Sequence, residues 1–364
     1  MKIVIDQNIP FINGVFENVA EVQYFKGQNI DNQSVKDADA LIIRTRTKCG
    51  EALLYGSKVR FIATATAGTD HIDFDFCEKN GIEIYSAAGC NASSVAQYLG
   101  SAIGEWSFCN NLNISDLTVG IVGWGNVGKE VENLCNALKI KVLLNDEPLK
   151  KLGMAQVCNS CLKKDSAPIA NRREQSLVSL QTIAENCDII TFHTPLTFED
   201  EFATKYLANA AFFNSLKRKP LIINAARGGV VNEQELLKAY ENGKIAGFAL
   251  DCWENEPSIS PELLQKAFIA TPHIAGYSLD GKKNATEMCV QTVSRFFNLG
   301  LNDFFVKNFS AKKIIHAKNN ELLKILCENY DIKFDSDRLQ QNPQKFEDFR
   351  NNYYERREIE IITR

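Results

Sequence analysis

A chain of 364 residues exceeds one ordinary core, so two or three domains are expected. Hydrophobic residues make up 45% and charged residues 24%, as in globular proteins, and no apolar run reaches membrane-spanning length. A formal net charge of −4 argues against nucleic acid as the main partner.

The opening residues meet an acid at Asp6 and read as a strand, not a signal peptide. Strands are expected over 2–5, 40–44, 61–65 and 82–85, with helical stretches over 14–19 and 74–79 between some of them. Strand–helix alternation implies a parallel sheet with helices on its faces. Asn91 then opens a helical pattern over 92–106, with Asn91, Ser93 and Ser94 as cap candidates. A second α/β unit follows, with strands expected over 118–122, 141–144, 189–192, 221–223, 247–250 and 267–270. Six strands make a full dinucleotide-binding sheet. The polar stretch 150–174 reads as a surface insertion in one crossover. Beyond about residue 300, aromatic and charged residues alternate and glycine disappears, which suggests a helical appendage packed on the body or on a partner subunit.

Eleven scattered cysteines, an odd count, suit buried thiols of a cytosolic protein. Cys158 and Cys161 have C-x-x-C spacing, but no second pair or histidine lies close by, so no metal site is expected.

The most informative stretch is Val119-Gly-Ile-Val-Gly-Trp-Gly-Asn-Val-Gly128. A short apolar strand runs into glycines at 123, 125 and 128, the G-x-G-x-x-G spacing of a dinucleotide turn. Gly123 allows the tight turn, Gly125 lets backbone approach a pyrophosphate, and Gly128 lets the helix pack on the strand. Free N–H groups at the helix start then face the phosphates. Asp146 ends the next strand, 23 residues after Gly123, where an acid accepts hydrogen bonds from ribose hydroxyls and repels a 2′-phosphate. This favours NAD over NADP. Glu147 could share the role. The alternative for Asp146, a solvated loop acid, is the weaker in this context.

Arg227 ends an apolar strand and precedes two glycines, which suggest tight approach to something. A guanidinium at a strand's carboxyl end can hold a carboxylate in bidentate fashion. Glu256 and His273 each lie just past later strands. A carboxylate that orients an imidazole makes an acid/base unit. Alone, His273 would more often be structural; with an arginine and an acid past neighbouring strands, the catalytic reading prevails. His71 and His193 read as hydrogen-bonded loop or strand-end residues, and His316 as a surface residue. Arg44-Thr-Arg-Thr-Lys48 could receive a phosphate, although tandem charges at a strand end are often merely solvated. The small-residue loop 64–70 could cradle a carboxylate with backbone N–H groups, or be a simple tight turn.

In this order the pieces closely resemble the D-isomer-specific 2-hydroxyacid dehydrogenases. The resemblance covers roughly residues 1–300 and rests on the glycine turn, Asp146, Arg227, Glu256 and His273, with further matches at Thr64–His71, Ala88–Asn91, Phe192–Leu196 and Thr271–Tyr277. It implies an α/β fold of two Rossmann-like doubly wound parallel-sheet domains with a cleft between them, plus a small C-terminal appendage. The expected division is a substrate-binding domain over 1–95, completed by part of 274–295; an NAD-binding domain over 96–273; and a dimerisation segment over 296–364. Arg227, Glu256 and His273 would form the catalytic set. Gly123, Gly125, Asn126, Val127, Asp146, Thr194, Ala225, Ala226, Asp251 and Gly276 would contact NAD. Thr45, Thr66 and Tyr277 would contact substrate, with Arg44 and Arg46 toward a phosphate. The tail around Asn351–Glu358 resembles a dimerisation segment, so a cytoplasmic homodimer acting on a small phosphorylated 2-hydroxy acid is implied. The 150–174 stretch is longer than the family's usual connection, and the tail ends soon after the matching segment. Alternatives are a family member acting on phosphoglycerate or a plain 2-hydroxy acid, and a non-catalytic NAD(H)-sensing protein.

Overall fold

A computed structural model describes residues 1–152, 177–199, 201–317 and 319–362. Cys158, Cys161 and the greater part of the 150–174 stretch lie outside the described residues. The chain forms two compact units: Met1–Ala92 with Tyr277–Lys312 and Glu355–Glu358, and Ser93–Gly276 with Lys313–Tyr354 and Ile359–Arg364. Among the described residues, no helix is long and apolar enough to cross a membrane.

The first unit is a five-stranded parallel sheet in the order β2-β1-β3-β4-β5, with β1 Lys2–Asp6, β2 Glu21–Phe25, β3 Ala40–Ile43, β4 Phe61–Thr64 and β5 Glu83–Ser86. This doubly wound order places a switch point between β1 and β3. β3 and β4 are buried throughout, because helices and loops cover both sheet faces; that is why they read as unbroken apolar runs. One core holds Ile3, Ile5 and Phe61 with Cys289, Val290 and Val293 of the helix Leu279–Phe297. The other holds Val4, Leu41, Ile43 and Ile62 with Val35 and Leu53.

Two expectations fail here. Residues 14–19 form turns instead of a helix, because buried Ile12 and Phe16 anchor them and the closing bonds are Val15 N to Ile12 O and Val19 N to Phe16 O. The strand Glu21–Phe25 escaped notice because it is a half-exposed edge strand of mixed polarity.

The second unit contains a six-stranded parallel sheet ordered β11-β10-β9-β8-β6-β7. Its strands are β6 Thr118–Val122, β7 Lys141–Asn145, β8 Ile189–Phe192, β9 Leu221–Asn224, β10 Gly247–Leu250 and β11 Ile269–Ala270. Leu177 adds an isolated parallel bridge to Leu144 of β7. The chain therefore winds one way through β7 and the other way through β8 to β11, a doubly wound α/β fold whose carboxyl strand ends share one edge.

Residues 296–364 are divided between both units and include a small C-terminal sheet. Three helices, Asn319–Asn329, Ile332–Gln341 and Phe346–Asn351, join the second unit, and β12 (Lys313–Ile315) pairs in parallel with β13 (Ile359–Ile361). Ser336 Oγ accepts the Ala270 N–H at 3.0 Å, so the helix Ile332–Gln341 satisfies the open edge of β11. Hydroxyls of Tyr330, Tyr353 and Tyr354 all donate to Asp335 Oδ2, at 3.1, 2.8 and 3.3 Å. Gln97 binds both the N–H and the C=O of Ile359, fastening β13 to the helix Ala92–Cys109.

Candidate active site

The glycine turn follows β6. Gly123 has φ +93°, and a Cβ there would lie 2.8–2.9 Å from backbone atoms of His193 and Thr194, which follow β8. A Cβ on Gly128 would overlap the Gly123 carbonyl, so that glycine is needed for helix packing. A Cβ on Gly125 would meet nothing within 4 Å. Gly125 also precedes the helix Asn126–Ala137, whose N-terminus has no side-chain cap. The first-turn N–H groups, those of Asn126 and Val127 among them, therefore start beside open space. Asp146 braces the turn: Oδ2 accepts the Trp124 N–H at 2.9 Å and Oδ1 the Leu149 N–H at 3.1 Å. Thr194 Oγ1 is buried with no hydrogen-bond partner. An open glycine, an uncapped helix start, a braced acid and an orphaned hydroxyl fit a dinucleotide. Burial pushes His193 down to about 3, so its ring is neutral, bound to the Thr191 hydroxyl at 3.0 Å.

Arg227, Glu256 and His273 follow β9, β10 and β11, three neighbouring strands. The first glycine after Arg227 marks close approach to protein: a Cβ on Gly228 would overlap the Trp253 carbonyl. Asn224 ties the two loops together by donating to the carbonyls of Arg227 at 3.0 Å and Cys252 at 3.4 Å. Arg227 Nη1 donates to Ala226 O at 2.8 Å.

Glu256 and His273 are a bonded pair. His273 Nδ1 lies 3.0 and 2.9 Å from the two Glu256 oxygens, and Oε1 also accepts the Trp253 N–H at 2.9 Å. Arg350 Nη1 stands 3.7 Å from Oε2. Burial raises the Glu256 carboxyl, but the hydrogen bond and charge of His273, the Trp253 N–H and the Arg350 charge together hold it below the ordinary value. With Nδ1 engaged, Nε2 is the nitrogen left for proton exchange.

His273 has φ +57°, a left-handed backbone that costs about 1–3 kcal/mol for a non-glycine residue. Asp251, 1% exposed, holds the loop in that shape: its carboxylate accepts from Thr271 Oγ1 at 2.7 Å, Ile274 N at 2.7 Å and Ala275 N at 2.9 Å. Burial raises the Asp251 pKa despite these donors. Trp253 Nε1 donates to Thr271 O, and Tyr98 shares a hydrogen bond with the Thr271 hydroxyl. Asp251 was expected among the cofactor contacts; its carboxylate is occupied inside the protein.

Cys252, Glu256 and His273 have ligand atoms within 4.8 Å of one another. The Cys252 thiol donates to Ala226 O, and burial holds it protonated, well above its ordinary pKa. A protonated thiol is a poor metal ligand.

In the first unit, β3 and β4 are neighbours, so their carboxyl ends bring the 44–48 turn and the 64–71 loop side by side. Arg44 donates to Asn8 O at 2.9 Å and its Nε stands 3.6 Å from buried Asp6. Thr45, Arg46 and Lys48 are exposed. Thr66 Oγ1 donates to Gly68 O at 2.9 Å and pairs with Thr64 Oγ1 at 2.7 Å, while His71 Nε2 lies 3.1 Å from Thr64 Oγ1. His71 is thus a loop residue, and burial lowers its pKa. His316 is exposed. Gly276 and Tyr277, both partly buried, follow the His273 loop in the chain.

Sequence reasoning missed Arg350, which lies 94 positions beyond Glu256, and the loop-holding roles of Asp251, Trp253 and Tyr98. The aromatic spacing of Phe346 and Phe349 was the one local sign that this segment docks.

Residues 98–275 match the NAD-binding domain of the D-isomer specific 2-hydroxyacid dehydrogenases. Over 359 residues the chain is 44% identical to an erythronate-4-phosphate dehydrogenase of Bacteroides thetaiotaomicron, with 98% of this chain and 97% of that protein covered. The chain belongs to the erythronate-4-phosphate dehydrogenase family. A Bacteroides fragilis member is 43% identical over 361 residues, covering 98% of this chain and 97% of its own. The solved NAD-bound 3-phosphoglycerate dehydrogenase of Entamoeba histolytica shares the fold, with a TM-score of 0.64 at 24% identity, covering 85% of this chain and 99% of that one. As a family member the chain is an NAD-dependent dehydrogenase.

Proposed function

We propose that this dehydrogenase oxidises 4-phospho-D-erythronate to 3-hydroxy-2-oxo-4-phosphooxybutanoate with NAD, in pyridoxal 5′-phosphate (vitamin B6) biosynthesis. The observation that carries the reading is the His273–Glu256 pair, with Nδ1 within 3.0 Å of both carboxylate oxygens, beside the Arg227 strand end, in a chain that matches erythronate-4-phosphate dehydrogenases over nearly their full length.

Each residue's part follows from its chemistry. Arg227 binds the C1 carboxylate, with help from the N–H groups near Thr66. His273 Nε2 takes the C2 hydroxyl proton, and Glu256 stabilises the imidazolium that forms. Bound NAD supplies the hydride acceptor for C2. Gly123, Gly125, Asn126, Val127 and Asp146 would hold its phosphates and ribose; Thr194, Ala225, Ala226 and Gly276 would line the rest. Thr45 and Tyr277 contact substrate, and Arg44, Arg46 or Lys48 meets the 4-phosphate. Of the three cations, Arg46 and Lys48 are exposed, while Arg44 is braced by Asp6. The homologous tail supports a homodimer, and the disulfide-free described cysteines suit the cytoplasm.

Purified protein is incubated with NAD, a 2-oxoacid acceptor and 4-phosphoerythronate, 3-phosphoglycerate or D-lactate. Conversion of 4-phosphoerythronate is expected; conversion of 3-phosphoglycerate alone overturns the substrate. His273→Ala should lower turnover by about 10²–10⁴-fold. Near-normal turnover in that variant removes the base assignment. Sedimentation as a single chain would overturn the dimer.

A further inference from the structure

Arg350 has no role in the set above, yet it stands beside Glu256 Oε2, the oxygen that also lies 2.9 Å from His273 Nδ1. The helix Phe346–Asn351 is seated by Phe346, 1% exposed in the core that holds Trp253, Ile259, Leu263 and Leu339. Phe349 packs on the same core, under the Arg338 guanidinium at 4.3 Å. Residues four apart share a helix face, so burying Phe346 turns Arg350 inward as well. Its side chain is only 21% exposed, and Nη1 lies 3.7 Å from Glu256 Oε2 and 3.9 Å from Glu347 Oε1.

We infer that Arg350 is a positioning residue for the acid/base pair: its guanidinium flanks the Glu256 carboxylate at the Oε2 it shares with the imidazole and offsets part of that carboxylate's charge, so that the ring is held in line without its proton being bound too tightly. This rests on the reading of His273 as the base. Two demands on Glu256 conflict. It must orient the ring, and it must not bind the ring's proton so tightly that the base is lost at working pH. A cation beside the carboxylate reconciles them. Other charges act on the same ground. Arg227 and Arg350 both act on the buried Cys252 thiol, His273 acts on Asp251, and Glu254 and Glu256 act on Glu233. Arg350 forms an ion pair with the carboxylate, at 3.7 Å.

The test compares Arg350→Met and Arg350→Lys with wild type, reading kcat/KM for 4-phospho-D-erythronate oxidation from pH 5.5 to 9.5. Loss of the cation favours the protonated pair. The acid limb of the Arg350→Met profile should therefore move up by about one pH unit, with kcat down about tenfold and KM nearly unchanged. Arg350→Lys keeps the charge and should keep the limb. An unmoved limb in Arg350→Met, or an equal shift in Arg350→Lys, overturns the inference, because a purely structural role would lower activity alike at every pH. NAD titration checks folding; if Arg350→Met does not bind NAD, Arg350→Gln replaces it. If wild type shows no turnover, the proposed function fails on its own. Imidazole NMR then reads the titration of the His273–Glu256 pair in wild type and variant, and an unchanged midpoint refutes the role of Arg350.

Discussion

Glu233 offers a test whose sign is fixed by the structure. It opens the helix Glu233–Glu241, is 8% exposed, and exchanges bonds with Glu254: Glu233 Oε1 accepts the Glu254 N–H at 2.6 Å, and Glu254 Oε1 accepts the Glu233 N–H at 3.0 Å. Burial is the main reason its carboxyl rises from 4.5 to about 7; the Glu254 N–H opposes, and the charges of Glu254 and Glu256 add. Because the folded form binds this proton more tightly than the unfolded form, stability falls as pH rises from about 4.5 to about 7 and is flat above. At about 1.4 kcal/mol per unit the loss is about 3 kcal/mol. Glu233→Gln keeps an acceptor for the Glu254 N–H and removes the charge. It should stabilise the second unit by about 2–3 kcal/mol at pH 8 and give no gain near pH 4.5. Urea unfolding followed by tryptophan fluorescence reads this unit, since Trp106, Trp124 and Trp253, the three tryptophans of the chain, all lie in it. For a domain of this size the midpoint should rise by roughly 1 M at pH 8. A gain of equal size at both pH values, or none at pH 8, would refute the burial argument.

Asp251→Ala strips the acceptor from two buried N–H groups, those of Ile274 and Ala275, which should cost about 2–6 kcal/mol; urea unfolding checks it, and a loss under 1 kcal/mol would mean that the loop finds other acceptors. Gly125→Ala introduces a methyl where the protein leaves space, so the urea midpoint should hold while NAD affinity, read by calorimetry, falls at least about tenfold. Gly128→Ala should behave oppositely and lose stability, because its methyl would strike the Gly123 carbonyl.

Strands buried on both faces announce themselves as apolar runs, and so β3, β4 and β6 were readable to within a residue or two. Glu21–Phe25 was not, since an edge strand buries little and its pattern is mixed. The grouping of Arg227, Glu256 and His273, the proposed catalytic set, was readable because each sits just past a strand, and parallel topology sends all such positions to one edge. The tight approach expected after Arg227 is, at Gly228, to Trp253 backbone. Arg350 was out of reach: its meeting with Glu256 depends on how Phe346 docks, a tertiary fact that no local spacing encodes.

These cases divide the site's residues by what dictates them. Gly123 and Gly128 are required by the protein's own backbone, whereas Gly125 is required by nothing in the protein and so carries the information about a ligand. Asp251 belongs with the first group, since its carboxylate accepts from Thr271, Ile274 and Ala275 of the 271–275 loop. His273 depends on both groups. Its left-handed backbone is sustained by Asp251 beneath, and its ring is aimed by Glu256, which Arg350 flanks from the C-terminal segment. Loss of the lower support should therefore appear first as lost stability, and loss of the flanking cation first as a displaced pH profile. A variant that did both in equal measure would mean that the two supports are a single network and not two.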